Sequence, residues 1–186
     1  MVKKTKKQPA FDTKRLEVRP WKQADLKELH ALYADGDNLR YWSALPHTDI
    51  EQTRRALKWH RAYQPKYYAM WAIEEKKSGR PIGMLNYHHR HTTQKRVDVG
   101  WLMLPECQGK GLMTEAVRPL LRHLFDDLGI HKVEALIMPA NKASQALARR
   151  LGFRREGGPI RDRWCVAGVW QSVLIFGLVS GEETKK

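Results

Sequence analysis

The sequence is poor in cysteine and contains no long apolar run. Cys107 and Cys165 are the two cysteines among 186 residues, too few for a disulfide framework, and their spacing matches no metal-binding motif. No stretch of about 18 consecutive apolar residues is present, so we expect no membrane span. The lysine-rich start lacks the apolar segment of a secretory signal. These absences favour a cytoplasmic protein with two free thiols.

Acidic residues are scarce relative to basic ones. The chain has 34 lysines and arginines against 20 aspartates and glutamates, a net charge of +14. A charge of this sign attracts anions, which include nucleic acid, anionic membranes and phosphorylated small molecules. Four of the lysines fall within residues 1–7, where they would suit a contact with RNA or the ribosome, although such segments are usually just solvated. Charge alone leaves these partners open.

The pattern of apolar residues predicts one mixed α/β domain over residues 11–180, between a basic flexible tail at 1–10 and a second tail at 181–186. Alternation and local composition predict strands over 16–20, 69–75, 81–89, 96–104 and 131–138, with two more between 153 and 179. Helical spacing predicts helices over 24–34, 49–63, 112–128 and 141–151. Tight turns between the middle strands require antiparallel pairing, whereas the strand–helix–strand unit over 97–138 is typical of a parallel crossover. Pro119 predicts a kink in the third helix.

A glycine-containing loop over 106–111 joins a predicted strand to this third helix. The free N–H groups at the start of a helix and the helix dipole favour a negative ligand. Gly109 and Gly111 would let the backbone approach that ligand closely, and Lys110 adds a positive charge. The pattern therefore indicates a phosphate site, although an ordinary glycine-containing turn would look similar. It matches neither the dinucleotide fingerprint nor the Walker A motif.

The segment 108–113, Gln-Gly-Lys-Gly-Leu-Met, resembles the Gln/Arg-x-x-Gly-x-Gly/Ala signature of the GNAT superfamily of N-acetyltransferases. Residues 97–102, 141–144 and 151–153 are similar to the neighbouring segments of that family, and residues 13–20 resemble the start of its ribosomal-protein N-acetyltransferase branch. The chain departs from the pattern at Met113, where the signature has a smaller residue, and at Gln171, where that branch often carries an acid.

The resemblance implies the GNAT fold, a mostly antiparallel sheet of about six or seven strands, flanked by helices, whose two central parallel strands splay apart. It implies transfer of the acetyl group of acetyl-CoA, without a metal, by direct attack of a primary amine, either a protein N-terminal α-amine or a small amine. A backbone N–H near Met103 would polarise the thioester. Coenzyme A would be held by Leu102, Met103, Leu104, Gln108, Gly109, Lys110, Gly111, Leu112, Met113, Thr114, Asn141 and Ser144.

The acceptor amine must lose a proton, and the leaving thiolate gains one. We expect the general base to be Asp98 or, as a second candidate, Glu134, although either carboxylate could simply be solvated or ion-paired. The tyrosine that many family members use as general acid is absent, because Ala148 stands at its position. The resemblance assigns Ser144 a hydrogen bond near the sulfur, and Asn141 is expected to cap its helix.

Three further features leave alternatives open. On a regular strand His89 would share a face with His91 while His88 points the other way, and no further ligand motif completes a zinc site, so we expect no metal. Tyr41 and Trp42 suit either a core or an acceptor pocket. A non-catalytic acyl-CoA sensor or an RNA- or ribosome-associated module is the alternative function, and an antibiotic acetyltransferase is disfavoured by the charge. We expect a monomer or homodimer.

Overall fold

The computed structural model describes residues 7–182, and these form one eight-stranded sheet with helices on both faces. The strands are β1 (Phe11–Asp12), β2 (Leu16–Pro20), β3 (Ala69–Glu75), β4 (Arg80–His91), β5 (Arg96–Met103), β6 (Lys132–Ile137), β7 (Arg154–Val166) and β8 (Val169–Val179). The helices are α1 (Leu26–Ala34), α2 (Ile50–Arg61), α3 (Leu112–Arg122) and α4 (Lys142–Arg150).

The sheet has the order β1-β2-β3-β4-β5-β6-β8-β7. Only β5 and β6 run parallel within it, joined through α3, and the other neighbours are antiparallel. The predicted mixed sheet is confirmed. The eighth strand is β1, which is two residues long and too short for any alternation to show in the sequence.

The two parallel strands separate after three paired positions. They pair at Arg96 with Lys132, at Val97 with Val133 and at Asp98 with Glu134. Beyond this point β5 continues to pair with β4 as far as Met103, while β6 continues to pair with β8. The facing edges of β5 and β6 therefore open into a slot, which confirms the predicted splay.

The sheet is buried on both faces by different helices. Val97 and Val99 of β5 pack into an apolar cluster with α3 and α4, whereas Leu102 packs into a second cluster with α1 and α2. This division follows from the alternation of side chains along a strand. Each fully buried leucine contributes roughly 1.5–3 kcal/mol, so the two clusters fix the helix ends relative to the slot.

Helix α3 continues through Pro119, and the kink predicted there stays a prediction. The turn after α3 is π-helical and covers His123–Asp127, where the N–H of Leu128 donates to the carbonyl of His123. Asp49 and Asn141 cap α2 and α4 by accepting backbone N–H groups, as predicted for helix starts.

The chain start is held on β3 from Gln8 onward. Gln8 is buried, its Nε2 donates to the carbonyl of Met70 at 2.7 Å, and Trp71 Nε1 donates to the carbonyl of Pro9 at 2.8 Å. The flexible tail predicted over residues 1–10 therefore does not include Gln8 and Pro9. The rest of both predicted tails, 1–6 and 183–186, lies outside the described residues. Within residues 7–182, none of the helices is long and apolar enough to cross a bilayer.

Candidate active site

The slot between β5 and β6 opens into a cleft of about 1370 Å³. Its walls come from both strands, from the loop before α3, from the starts of α3 and α4, and from the loop between α1 and α2. The cleft brings together most of the predicted site residues, namely Asp98, Leu102, Met103, Gln108, Gly109, Gly111, Leu112, Met113, Thr114, Asn141 and Ser144. Leu104, Lys110 and Glu134 are not among its lining residues.

The glycines of the loop before α3 adopt conformations that L-residues rarely take. Gly109 has φ +74° and Gly111 has φ +75°, both in the left-handed region that glycine tolerates. Gly111 is the N-cap of α3, and Leu112 to Thr114 form its first turn at the cleft wall. The unpaired N–H groups of this turn and the helix dipole make that wall suitable for a phosphate.

A carboxylate ties this loop to the turn between β1 and β2. Glu115 accepts hydrogen bonds from Thr13 Oγ1, from the backbone N–H of Arg15 and from Arg15 Nε, each at 2.7 Å. Arg15 also donates to the carbonyl of Lys110 at 3.1 Å. Partial burial would raise the pKa of Glu115, but the bonds from Thr13 and Arg15 outweigh it and lower the pKa. The ionised carboxylate therefore holds the loop in place.

Two cations that line the cleft lie on α3 and α4. Arg118 and Arg150 line it, and Arg150 Nη1 donates to Thr114 Oγ1 at 3.3 Å. Lys110, the cation that the sequence suggested, is exposed. Arg118 was missed, although it follows Thr114 by four residues and so shares its helix face. A ligand with several phosphate groups would meet two guanidinium groups here.

Of the three strand residues expected to contact coenzyme A through their backbone, Met103 is the one that faces the slot. Leu104 donates to Ile82 and accepts from Cys107, both at 2.9 Å, so its backbone groups are occupied. Because antiparallel pairing alternates along a strand, Leu102 also faces β4 while the N–H of Met103 faces the slot. Gln108 Nε2 donates to the Met103 carbonyl at 2.9 Å.

The start of α4 presents a hydroxyl to the slot. Asn141 Oδ1 accepts the backbone N–H of Ser144 at 3.0 Å, and Trp101 Nε1 donates to Ser144 Oγ at 3.2 Å. Since the indole can only donate, the hydroxyl hydrogen of Ser144 stays available for another acceptor. Ala148 is fully buried, which leaves the position of the missing tyrosine inside the core.

Asp98 lies on the face of β5 opposite that of Trp101, and there it lies close to two histidines. His89 has φ +50° at an irregularity between β4 and β5, and this bulge places its ring 4.7 Å from that of His88. The expectation that His88 and His89 point to opposite faces is therefore wrong, because a bulge interrupts the alternation. His89 Nδ1 lies 3.1 Å from Asp98 Oδ2.

His88, His89 and Asp98 place one potential metal-binding atom each within 4.8 Å of one another. Burial lowers the pKa of His88, and the charge of His89 lowers it further, while Asp98 acts in the opposite sense. The imidazole of His88 is therefore neutral near pH 7. The expectation of no metal stays a prediction.

Glu134, the second base candidate, pairs with Asp98 in the sheet, and two cations form ion pairs with it. Arg96 Nη1 lies 2.6 Å and Lys132 Nζ 3.4 Å from its carboxylate. A carboxylate whose oxygens are held by two cations is not free to contact an incoming amine. Its position and partners favour a structural role for Glu134.

The far end of the cleft is formed by the loop between α1 and α2. This loop contributes Arg40, Tyr41 and Trp42 to the cleft lining, which also includes Asn86 of β4 and Trp164 of β7. Tyr41 and Trp42 were candidates for this place from the sequence. Trp164 was not, because nothing local indicates that β7 reaches the cleft.

Comparisons with known proteins agree with this geometry. The family model for the acetyltransferase (GNAT) domain matches residues 15–154. The uncharacterized N-acetyltransferase YoaA of Bacillus subtilis is 27% identical over 150 residues, covering 80% of this chain and 85% of that protein.

Two solved structures show the same fold. A ribosomal-protein-S5-alanine acetyltransferase from Vibrio fischeri superposes with a TM-score of 0.79 at 20% identity, covering 95% of this chain and 100% of the other. A spermidine N-acetyltransferase from Vibrio cholerae, solved with CoA and spermine, has a TM-score of 0.78 at 19% identity, covering 91% and 98%. The resemblance carried by residues 108–113 is thereby confirmed: the chain belongs to the GNAT acetyltransferase family and is an acetyl-CoA-dependent N-acetyltransferase that acts on amines.

Proposed function

We propose that the acceptor is the N-terminal α-amine of a peptide or protein rather than a polyamine. The observation that carries this proposal is the small amount of negative charge at the acceptor end of the cleft. Three acids among the described residues line the cleft: Glu115, which is ion-paired with Arg15 beside the phosphate loop, Asp98, which is buried, and Asp37, which is exposed and ion-paired with Arg40 at 2.8 Å. A polyamine carries several positive charges, and one buried carboxylate would leave most of them unmatched.

The charge of the whole protein supports the same acceptor class. A chain with a net charge of +14 repels polycations at long range. A peptide α-amine has a pKa of about 7.7–8.0, so it needs only a weak base near neutral pH. The named relatives act on both kinds of acceptor, a ribosomal protein and spermidine, and therefore do not decide between them.

In this reaction the N–H groups from Gln108 to Thr114 bind the pyrophosphate, and the N–H of Met103 polarises the thioester carbonyl. The neutral amine attacks the acetyl carbon, the carbon–sulfur bond breaks, and Ser144 supplies a hydrogen bond to the departing sulfur. Asp98 belongs to the path by which the amine loses its proton, whereas Glu134 stays ion-paired. The non-catalytic alternative is not favoured, because the relatives are named as enzymes.

The acceptor class is tested by a matched peptide panel with mass detection of the product. Peptides of one sequence would be offered with a free N-terminus, with an N-terminal acetyl block, and with the block plus an internal lysine, beside spermidine. We expect the peptide with a free N-terminus to be acetylated much faster than the two blocked peptides and spermidine. Faster acetylation of spermidine would overturn the proposal while leaving the enzyme class intact.

Three expectations stay predictions. Contact with RNA or the ribosome concerns the lysines within residues 1–7, of which residues 1–6 lie outside the described part. A cytoplasmic location and a monomeric or dimeric state likewise rest on the sequence alone.

A further inference from the structure

We infer that His88 is the general base that takes the first proton from the acceptor ammonium, and that Asn86 and Asp98 position it. The inference rests on the proposed function, in that an amine must enter the acceptor end of the cleft. His88, Asn86 and Asp98 all line that cleft. His88 pairs with Asp98 across β4 and β5, and Asp98 is the last residue of β5 that pairs with β6. His88 therefore stands where the slot for the thioester arm begins.

The tautomer of His88 is set by its neighbour. Its Nδ1 lies 2.9 Å from Asn86 Oδ1, and an amide oxygen only accepts hydrogen bonds. Nδ1 therefore carries the hydrogen, and Nε2 keeps the lone pair that a base requires. Gly100 makes room for this amide, because a Cβ there would lie 2.9 Å from Asn86 Oδ1.

A route leads from His88 to solvent. Its ring lies 4.7 Å from that of His89, His89 Nδ1 is bonded to Asp98 Oδ2 at 3.1 Å, and the His89 side chain is 76% exposed. The bulge that creates this arrangement holds His89 at φ +50°, a conformation that is costly for a residue other than glycine and is often found at functional sites. Asp98 therefore lies between His88, whose protonated form it would stabilise, and the solvent-exposed His89.

The proton balance assigns each group one task. The bound ammonium gives one proton to His88 Nε2 and becomes a neutral amine, and this proton leaves by way of Asp98 and His89. The amine nitrogen then bonds to the acetyl carbon while the carbon–sulfur bond breaks. The second proton of the nitrogen goes to the thiolate. The products are an acetamide, free coenzyme A and one proton in solution.

The pH dependence follows from the groups that face His88. Burial keeps its imidazole neutral, His89 acts in the same direction, and Asp98 on β5 opposes both. The folded pKa lies below the ordinary value of about 6.5, so the base is in its active form at neutral pH. Turnover at saturating peptide should therefore fall only below about pH 6.5.

The kinetic test compares His88→Gln with His91→Gln, which lies on the same strand and is exposed. We expect His88→Gln to lower kcat by about 10²-fold or more, to remove the acid limb of the pH profile, and to leave coenzyme A affinity unchanged. His91→Gln should match the wild type. A normal kcat or an unchanged acid limb in His88→Gln would overturn the inference. So would activity that EDTA abolishes and zinc restores, because the three side chains would then serve a metal.

A second measurement needs no acceptor and separates this inference from the acceptor proposal. The histidine ring nitrogens of the full chain would be observed by NMR in the presence of coenzyme A, with His88→Gln used to assign the signal. We expect the Nδ1–H tautomer at neutral pH and a pKa below the ordinary value. The opposite tautomer, or a ring still protonated at pH 7.5, would refute the role of His88 even if no acceptor had been found.

Discussion

Gly111→Ala separates the contribution of the phosphate loop to coenzyme A binding from its contribution to the stability of the fold. Gly111 has φ +75°, and an added Cβ would lie 3.7 Å from Arg15 Nη2, an ordinary contact. The new methyl group thus has space, and the main cost is the left-handed backbone, about 1–2 kcal/mol for an L-residue. If the loop relieves this strain by rotating a peptide group, one of the backbone N–H groups that would bind the phosphate points away from it.

The two effects have different sizes and different assays. Strain alone should lower the melting temperature by roughly 2–8 °C for a domain of this size. Loss of one hydrogen bond to a charged phosphate costs about 1.5–3 kcal/mol, which weakens coenzyme A binding by about 10- to 150-fold. Scanning calorimetry measures the first effect and titration calorimetry the second.

Gly79→Ala is the matched control. Gly79 has φ +65° in the turn between β3 and β4, with no atom within 4 Å of an added Cβ. It should lose similar stability and keep full affinity for coenzyme A. If Gly111→Ala lost less stability than Gly79→Ala, which would show that the loop has turned, and still kept full affinity for coenzyme A, the loop would not be the phosphate site, and the assignment of residues 108–114 would fail.

Three other substitutions test separate parts of the account. Glu115→Gln should destabilise the fold by about 1–3 kcal/mol in urea unfolding and weaken coenzyme A binding. Glu51→Gln, in an exposed ion pair, should change both little. Equal effects of the two substitutions would argue that Glu115 does not hold the phosphate loop in place. Ser144→Ala should lower kcat by about 10- to 150-fold with affinity unchanged, because it removes a hydrogen bond of about 1.5–3 kcal/mol to the departing thiolate; a normal kcat would exclude the role of Ser144. Burial, aided by the charge of His47, lowers the pKa of His60 to about 4, so the unfolded chain binds more protons below pH 6.5. The contribution of His60 to wild-type stability in urea should then fall by about 2 kcal/mol from pH 7 to pH 5. His60→Leu should make the pH dependence smaller by that amount and leave the part due to His47 and His88, whose pKa values burial also lowers; an unchanged dependence would show that other groups cause it.

Much of the fold could be predicted because local patterns and tertiary packing agree. Ala69–Glu75 alternates as a strand and is one, and Asp49 and Asn141 cap helices where they stand before apolar stripes. Strand β1 escaped prediction because two residues carry no periodicity. Gln8 also lay outside the predicted domain, since its contact with β3 depends on a residue 62 positions away.

The site was predictable where it is local and was missed where it depends on pairing. The loop carrying Gly109 and Gly111 is a contiguous motif, so its place beside the cleft could be expected. The bulge at His89 and the direction of the Met103 N–H are set by the register between strands, which a single sequence does not reveal. Trp164 reaches the cleft from a distant strand for the same reason.

The central claim is tested most directly by mixing the purified chain with acetyl-CoA and following the thioester absorbance before and after a free-amine peptide is added. Absorbance is the better signal because Cys165 is exposed and would react with thiol reagents. The account predicts a saturable loss of thioester that starts when peptide is added and gives a peptide heavier by one acetyl group. A folded protein that neither binds coenzyme A nor consumes the thioester with any amine offered would contradict it.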